Sequence, residues 1–360
     1  MKRVFISDCE GPISKNDNAF EITSHFVPNG DKIFTVISKY DDVLADVLKR
    51  PRYEAGSTLK LILPFLRAYD VTDSKMRNFS AQSLLLIPSV TDTLKHVREV
   101  AHSFIVSTSY EHYVRALCQA IDFPYKNAYC TKLSIDKYHI TEKERAKLKE
   151  IAQEIAKMPL IEISSQAKSL KDFSERDRET IGRLDEIFWK IIAGMESGKI
   201  LSEVNPVGGG EKAEAVKDAA KKMDVTLANV MYVGDSITDA EAFKLVRENG
   251  GLAVSFNGNQ YAVKNAEIAV LSEHSIVTAI IADVFSRFGK QQALSLAENW
   301  NSKALKKSPV NQTLLNSLFK LYPKKLPKVK IITEENMEAL TKESSEFRKR
   351  VRGEAIGRLG

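Results

Sequence analysis

Residues 211–249 read EKAEAVKDAAKKMDVTLANVMYVGDSITDAEAFKLVREN, and their pattern indicates the fold class. The part 211–223 has the apolar spacing of an amphipathic helix, 229–235 is a short apolar run, and 239–249 is again helical. Helix, strand and helix in succession are typical of a parallel sheet that helices cover on both faces. The apolar run ends at an acidic residue, Asp235, so we expect the strand to deliver a polar side chain at its carboxyl end.

Similar apolar runs occur in other parts of the chain and predict further strands. They comprise residues 3–8, 103–108, 252–256 and 266–271. Helical patterns precede the run 103–108 and follow the run 266–271. The sequence therefore predicts an α/β protein with a doubly wound parallel sheet. Such sheets bind ligands beyond the carboxyl ends of their strands.

Two long stretches, 13–88 and 131–205, do not continue the alternation of strands and helices. Both contain amphipathic helical patterns and are too long to be passive loops. We interpret each stretch as an inserted helical subdomain, and 290–360 as a basic, mostly helical C-terminal extension. The predicted core is then discontinuous, and it comprises residues 1–12, 89–130 and 206–289.

The composition is that of a globular protein, with 360 residues of which 43% are hydrophobic and 28% charged. No apolar run approaches the roughly 18 residues that a membrane-spanning helix needs, so we expect no membrane insertion. The three cysteines, Cys9, Cys118 and Cys130, form no Cys-x-x-Cys pair. This cysteine usage is typical of a protein from a reducing cytoplasm, and we predict a cytoplasmic location.

The net charge of +6 is concentrated in the C-terminal extension. Residues 290–360 hold 15 Lys/Arg and 7 Asp/Glu, whereas the first 289 residues hold 38 and 40. A nearly neutral body argues against nucleic-acid binding by the main fold. For the helix that carries Arg348, Lys349, Arg350 and Arg352 we expect a solvated face, with docking on a partner as the alternative.

Polar side chains at the predicted strand ends suit phosphoryl transfer to a carboxylate. Asp8 follows the first strand and would be the nucleophile. Asp235, supported by Asp239, offers the hard oxygen ligands that Mg²⁺ prefers. Lys212 would supply a fixed positive charge at a helix start, and Ser107 a hydroxyl donor for phosphate.

The residues that follow Asp8 complete this hypothesis. Glu10 lies two positions further along an extended strand end, so it points to the same side and can serve as the general acid and base. Gly11 has no Cβ to block a close approach of phosphate to the backbone N–H groups. The alternative for Asp8 alone is an N-cap or turn residue, which Gly11 and Pro12 would also suit.

These motifs resemble those of the haloacid dehalogenase superfamily of Mg²⁺-dependent phosphohydrolases, and their spacing is most similar to the phosphoserine phosphatase-like branch. SFIVSTSY, residues 103–110, is similar to the second motif and places Ser107 at phosphate. EKAEAV, residues 211–216, is similar to the third and places Lys212 there as well. VMYVGDSITDAEAF, residues 230–243, is similar to the fourth.

The resemblance implies a Rossmann-like core with a helical cap over 13–88 and a phospho-aspartate formed on Asp8. It implies a Mg²⁺ cofactor and, as the substrate, a small phosphorylated metabolite. The implied metal ligands are Asp8, the backbone carbonyl of Glu10, Asp235 and Asp239. The helical insertion 131–205 and the extension from residue 290 have no counterpart in the phosphoserine phosphatase-like pattern. Either segment is therefore a candidate contact for a protein partner.

The first motif departs from the family pattern Asp-x-Asp-Gly-Thr, because Glu10 replaces the second Asp and Pro12 the Thr. Glutamate has nearly the same intrinsic pKa as aspartate but is one methylene longer. Slow turnover, phosphotransfer to an alcohol and loss of activity are therefore open alternatives to hydrolysis. DCEGPISKNDNAF, residues 8–20, also resembles archaeal members of which some are labelled as a subunit of an energy-converting hydrogenase. The alternative function is therefore an accessory or regulatory subunit with weak or no phosphatase activity.

Substrate choice in a capped fold depends mostly on the cap, because the core contacts only the phosphate. We expect Glu21, Arg52 and Arg67 to face the site and to read the leaving group, because opposite charges are needed to bind a free amino or carboxylate group.

Overall fold

A seven-stranded sheet forms the centre of the protein. The structure is a computed structural model and describes residues 2–164 and 166–359. Within these residues the strands are Val4–Ser7 (β1), His102–Tyr110 (β2), Ala128–Thr131 (β3), Val230–Gly234 (β4), Leu252–Phe256 (β5), Ile268–Leu271 (β6) and Lys328–Ile331 (β7). Their order is β3-β2-β1-β4-β5-β6-β7, and β7 pairs antiparallel with β6 while all other neighbours are parallel. The predicted α/β fold with a doubly wound sheet is confirmed.

The α-helices of the described residues connect and extend this sheet. In chain order they are Asn18–Phe26 (α1), Gly30–Asp42 (α2), Thr58–Ala68 (α3), Asp73–Gln82 (α4), Val90–Val100 (α5), Glu111–Ala120 (α6), Glu142–Ile155 (α7), Glu175–Glu186 (α8), Lys199–Glu203 (α9), Gly210–Lys222 (α10), Ala240–Glu248 (α11), Gln260–Asn265 (α12), Ile276–Phe288 (α13), Lys290–Glu298 (α14), Ser302–Lys307 (α15), Gln312–Leu321 (α16), Met337–Arg352 (α17) and Glu354–Gly357 (α18). None of the helices described is both long enough and apolar enough to cross a membrane.

The central strands are buried on both faces, and alternate residues pack into different hydrophobic clusters. Phe5 of β1 belongs to one cluster, whereas Val4 and Ile6 belong to the cluster on the other face. The β1–β4 register pairs Ser7 with Val233. The residues that follow these two strands, Asp8 and Asp235, therefore meet at the same edge of the sheet.

The edge strands β3 and β7 were not predicted from the sequence. Neither is a fully buried apolar run, because the first two residues of β3 are only partly buried and β7 has a lysine at every second position. In β7 the sequence Lys-Val-Lys-Ile alternates, with Val329 buried and Lys330 exposed. Exposed lysines are typical of an edge strand, because they prevent pairing with a further strand.

The helices of the stretches 13–88 and 131–205 share one hydrophobic cluster above the carboxyl edge of the sheet. Helix α3 packs on α7 and α9, and the fully buried Ile62 and Ile151 are members of this cluster. The Tyr40 hydroxyl also donates a hydrogen bond to the Asp185 carboxylate, which joins α2 to α8. These helices together form the cap of the protein.

The C-terminal extension packs against the core and then reaches the cap. Helices α14 and α16 pack on α13, and β7 returns the chain to the sheet so that α17 lies along α12. The face of α17 that is buried has residues four apart, namely Leu340, Ser344, Arg348 and Arg352. The expectation of a solvated arginine face is therefore wrong for Arg348 and Arg352, which are 3% and 9% exposed. The expectation of a solvated side chain is correct for Arg350, which is exposed.

Candidate active site

Three carboxylates converge at the carboxyl edge of the sheet. Asp8 follows β1, Asp235 follows β4, and Asp239 ends the short 3₁₀ turn Ile237–Asp239. Each offers one oxygen, and these oxygens lie within 4.8 Å of one another. All three residues are buried. Like charges at such distances in a buried site repel one another strongly and require nearby positive charge.

Lys212 supplies part of that charge from the first turn of α10. Its Nζ lies 2.7 Å from Asp8 Oδ2 and 2.7 Å from Asp239 Oδ1, and the side chain is fully buried. Burial alone would lower the pKa of Lys212, but the carboxylates of Asp239 and Asp8 outweigh it and raise the pKa. Lys212 therefore lies beside Asp8 at the carboxyl edge of the sheet, and its expected contact with phosphate stays a prediction.

Asp239 organises the loop that holds Asp235. Its Oδ1 accepts hydrogen bonds from Lys212 Nζ and from the Tyr232 hydroxyl at 2.6 Å. Its Oδ2 accepts from the backbone N–H groups of Asp235 and Ser236 at 2.9 and 3.0 Å. Burial favours the neutral acid, but Lys212 prevails and lowers the pKa of Asp239. A Cβ on Gly234 would lie 2.4 Å from the Asp239 carboxyl carbon, so glycine is required there.

Asp8 is fixed by the backbone on one side and by Lys212 on the other. Its N–H donates to the Val233 carbonyl at 2.8 Å, and its Oδ1 accepts from the Cys9 N–H at 2.6 Å. Burial and the neighbouring Asp239 raise the pKa of Asp8 to about 8 in the absence of a metal ion. A cation bound beside these carboxylates would favour the ionised form that a nucleophile needs.

Glu10 lies at the boundary between the core and the cap. Its Oε1 accepts a hydrogen bond from the backbone N–H of Asn18 at 2.7 Å, at the start of α1. Burial, reinforced by the charge of Asp17, raises the pKa of Glu10 well above its ordinary value. A carboxyl group that keeps its proton near neutral pH can act as a general acid.

Gly11 and Ser107 also lie at this edge of the sheet. Gly11 has a φ of +103°, and a Cβ at this position would lie 2.0 Å from Asp235 Oδ2. Its contact in the structure is therefore with the Asp235 carboxylate, and its role toward phosphate stays a prediction. Ser107 is buried, and its hydroxyl oxygen accepts a hydrogen bond from the Ser109 N–H at 3.1 Å. Its hydroxyl role toward phosphate likewise stays a prediction.

The donor set fits a magnesium ion. Mg²⁺ is bound in proteins by a few carboxylate oxygens together with water and phosphate oxygens. Asp8 and Asp235 end adjacent parallel strands, so the backbone of the sheet fixes their separation. The Asp235 carboxylate also accepts from two guanidinium groups, Arg348 Nη1 and Arg352 Nη1, the latter at 3.0 Å. A bound ion would share Asp235 with these arginines.

A cavity of about 100 Å³ opens beside Asp8, between the core, the cap and the C-terminal extension. Arg348, Arg352 and Leu359 line it from the extension, so the two arginines do not form the expected solvated face. The signal that could have identified them is their spacing, because both lie at multiples of four from Leu340 on one helix. Leu359 also belongs to the hydrophobic cluster of the cap.

The three cap residues that we expect from the sequence to contact the substrate lie outside the cavity beside Asp8. Glu21 accepts from the Asn16 side-chain amide at 2.8 and 2.9 Å, and Arg67 donates to the carbonyls of Val71 and Tyr138 at 3.2 Å each. Arg52 is exposed in a turn. None of the three lines the cavity, so the hypothesis for them is wrong. Charged residues are common in this cap, and the sequence does not show which of them point inward.

Three comparisons with known proteins each found similar proteins. The family model for haloacid dehalogenase-like hydrolases matches residues 78–283. A phosphoserine phosphatase from Archaeoglobus fulgidus is 26% identical over 121 residues, so the matched region spans about a third of each protein. The solved structure of gene product AF1437 from Archaeoglobus fulgidus is 27% identical, with a TM-score of 0.79. That match covers 100% of this chain and 99% of the other, and so includes the cap and the C-terminal extension.

Proposed function

The chain belongs to the family of haloacid dehalogenase-like hydrolases, and on this basis we propose that it is a Mg²⁺-dependent phosphatase of small phosphomonoesters. The observation that carries the proposal is the contact of Lys212 Nζ with both Asp8 and Asp239, beside Asp235. A nucleophile, a buried positive charge and an oxygen-rich cation site at one strand edge are the groups that phosphoryl transfer to a carboxylate needs.

In the first half-reaction an Asp8 oxygen attacks phosphorus, and the bond from phosphorus to the ester oxygen breaks. Glu10, protonated beforehand, donates its proton to the leaving oxygen, so that the alcohol leaves neutral. Lys212 offsets the charge on Asp8, and Ser107 would donate its hydroxyl proton to a phosphoryl oxygen. A Mg²⁺ ion held by Asp8, the Glu10 backbone carbonyl, Asp235 and Asp239 would supply further charge neutralisation.

In the second half-reaction a water molecule attacks the phosphorus of the phospho-aspartate. Glu10, now ionised, takes a proton from this water, and the bond between phosphorus and the Asp8 oxygen breaks. Inorganic phosphate is released, and Asp8 and Glu10 return to their starting states. The same carboxyl group therefore acts as acid in one step and as base in the next.

The substrate that fits is small. The cavity beside Asp8 has a volume of about 100 Å³, which is small for a ligand site and favours a phosphomonoester with a short leaving group. The cysteines Cys9, Cys118 and Cys130 are free and buried, which suits the proposed location in a reducing cytoplasm.

The test is release of inorganic phosphate from a panel of phosphate esters, including an aryl phosphate, with added Mg²⁺. We expect hydrolysis by the wild-type protein, and none above background by Asp8→Asn or after the ion is chelated. The matched control is Asp31→Asn, an exposed aspartate on α2, which should keep wild-type activity. Wild-type rates in Asp8→Asn would refute the proposal.

A second candidate function is an accessory or regulatory role in a larger complex, including the energy-converting hydrogenase suggested by the resemblance. The observation in its favour is that the Asn18 N–H of the cap donates a hydrogen bond to Glu10, so this carboxyl group has a structural contact besides its proposed catalytic one. Stable co-purification with other subunits from native cells, together with no activity on any ester, would favour this role. Product formation with an added alcohol acceptor would instead indicate a phosphotransferase.

A further inference from the structure

The C-terminal helix α17 places two guanidinium groups in the cavity beside Asp8. Arg348 Nη1 contacts the Asp235 carboxylate and lies 3.3 Å from the Asp235 carbonyl oxygen. Arg352 Nη1 lies 3.0 Å from the same carboxylate oxygen, Asp235 Oδ2. Both arginines come from a segment beyond residues 78–283, the range that matches the family model.

Arg352 is positioned by the backbone as well as by Asp235. Its Nε donates to the Lys15 carbonyl at 3.0 Å, and its Nη2 donates to the Asn16 carbonyl. These carbonyls belong to the segment that connects the first motif to α1. Because three different groups hold the guanidinium, its position does not depend on Asp235 alone.

The charge of the cavity lining indicates that Arg348 and Arg352 have a role in binding an anion. Carboxylates dominate its lining, and they are Asp8, Glu10, Asp17, Asp41, Asp42 and Asp235. Among the described residues that line the cavity, the positive charges are those of Arg348 and Arg352. A phosphomonoester is a dianion near neutral pH, and it would be repelled from this cavity without cationic partners. Arg348 and Arg352 are therefore the cationic partners that this part of the lining offers to a phosphoryl group.

Donors without partners on the same lining support an anionic ligand. Arg348 is 3% exposed, and its Nε makes no hydrogen bond within the described residues. The same holds for Thr108 Oγ1, at the carboxyl end of β2. A buried donor without a partner costs free energy unless a ligand or water satisfies it. Phosphoryl oxygens are acceptors that suit both groups.

We propose that Arg348 and Arg352 are substrate-binding residues, and that α17 brings them to the phosphoryl group of the substrate. The proposal rests on the proposed function for the place of that group, next to Asp8. The guanidinium groups would donate hydrogen bonds to phosphoryl oxygens, while Asp235 keeps part of its contact with them. The C-terminal extension is then a part of the active site.

Binding of inorganic phosphate to the full chain, measured by calorimetry in the presence of Mg²⁺, tests this directly. We expect Arg348→Gln and Arg352→Gln each to weaken phosphate binding by about 10- to 100-fold, the usual effect of losing a charge-assisted hydrogen bond. Arg350→Gln is the matched control, because Arg350 lies on the same helix but is exposed, and its contact with Glu273 is 3.9 Å long. It should bind phosphate as the wild type does.

A folding defect is separated from a binding defect by two measurements. The first is thermal unfolding, which shows whether each variant is folded. The second is phosphate binding by Arg352→Lys, which retains the positive charge but lacks the planar guanidinium group. We expect Arg352→Lys to be folded and to bind phosphate with a loss smaller than that of Arg352→Gln. Equal phosphate affinity in folded Arg348→Gln, Arg352→Lys and wild type would overturn the proposal.

Two further outcomes also decide the question. Tighter phosphate binding in the glutamine variants would show that the arginines block the site, which contradicts the proposal. No phosphate binding by the wild type would overturn it as well. The two proposals can also fail separately. If the protein hydrolyses no ester but its phosphate binding depends on Arg348 and Arg352, the proposed phosphatase function fails while the proposed role of the two arginines in binding phosphate is supported.

Discussion

The backbone N–H of Asn18 donates a hydrogen bond to Glu10 Oε1 at 2.7 Å, and this bond joins the core to the first helix of the cap. The additional methylene of Glu10, compared with the aspartate of the family pattern, extends its carboxyl group toward α1. Burial favours the neutral acid at Glu10 and prevails, whereas the Asn18 N–H at the N-terminus of α1 favours the ionised form. The protonation state of Glu10 is therefore coupled to the position of helix α1 relative to the core.

Two substitutions at Glu10 separate its proton transfer from its contact with the cap. Glu10→Gln retains an oxygen acceptor for the Asn18 N–H but cannot transfer a proton, so we expect kcat to fall by about 100-fold or more. Glu10→Asp retains the proton chemistry but shortens the reach to α1, so we expect a smaller loss in kcat and a higher KM. Steady-state kinetics on an aryl phosphate give both values. Equal kcat in Glu10→Gln and wild type would exclude Glu10 as the acid and base.

Removal of the Lys212 charge should destabilise the protein and abolish its activity. Lys212→Met leaves the buried carboxylates of Asp8 and Asp239 without their shared cation, a change that costs about 3–5 kcal/mol at buried ion pairs. Urea unfolding at neutral pH measures the loss. The control is Lys217→Met on the same helix, where the side chain is 50% exposed and pairs with Glu214. A surface pair of this kind contributes about 0–1 kcal/mol.

Loss of the Asp235 charge should weaken metal binding without removing the nucleophile. We expect Asp235→Asn to lower the affinity for Mg²⁺ by about 10-fold or more, because an amide oxygen is a weaker ligand for a hard cation than a carboxylate. Calorimetric titration of the full chain with Mg²⁺ provides the comparison. Asp224→Asn, an exposed change in the turn after α10, serves as the control. Unchanged Mg²⁺ affinity in Asp235→Asn would exclude it as a ligand.

The buried central strands were predictable because each forms a continuous apolar run with a polar residue at its end. Asp8 and Asp235 come together because parallel strands place their carboxyl ends at the same edge of the sheet. Lys212 was predictable because it lies at the start of a helix and within a recognisable motif. The edge strand β7 lacks such a run, since Lys328 and Lys330 alternate with its apolar residues.

The part of the site that the sequence did not reveal depends on tertiary contacts between distant segments. Arg352 reaches the carbonyls of Lys15 and Asn16, more than 300 residues earlier in the chain. No local pattern specifies such a contact, and an arginine-rich helix is usually solvated. For the cap residues Arg52 and Arg67 the sequence shows only their charge, and charge does not determine which face of the cap lies over the cavity.

The stability of the protein should depend on pH through Glu21, a cap residue outside the cavity. Burial raises the pKa of Glu21 to about 7 from an ordinary value of 4.5. The folded protein therefore holds a proton between these pH values that the unfolded chain has released. Folding stability should fall as pH rises from about 4.5 to 7, and this contribution should change no further above that range. Because Glu21 is partly exposed, we expect about 1–2 kcal/mol.

Glu21→Gln isolates this contribution, because glutamine cannot lose a proton but its amide oxygen can still accept from Asn16. The free energy of unfolding, measured in urea at pH 4.5 and at pH 7.5, should therefore fall less in the variant than in the wild type. At pH 7.5 the variant should be the more stable of the two by about 1–2 kcal/mol. The control Glu248→Gln replaces an exposed glutamate at the end of α11 and should follow the wild type. If Glu21→Gln follows the wild type as well, burial does not raise the proton affinity of Glu21 in the folded protein.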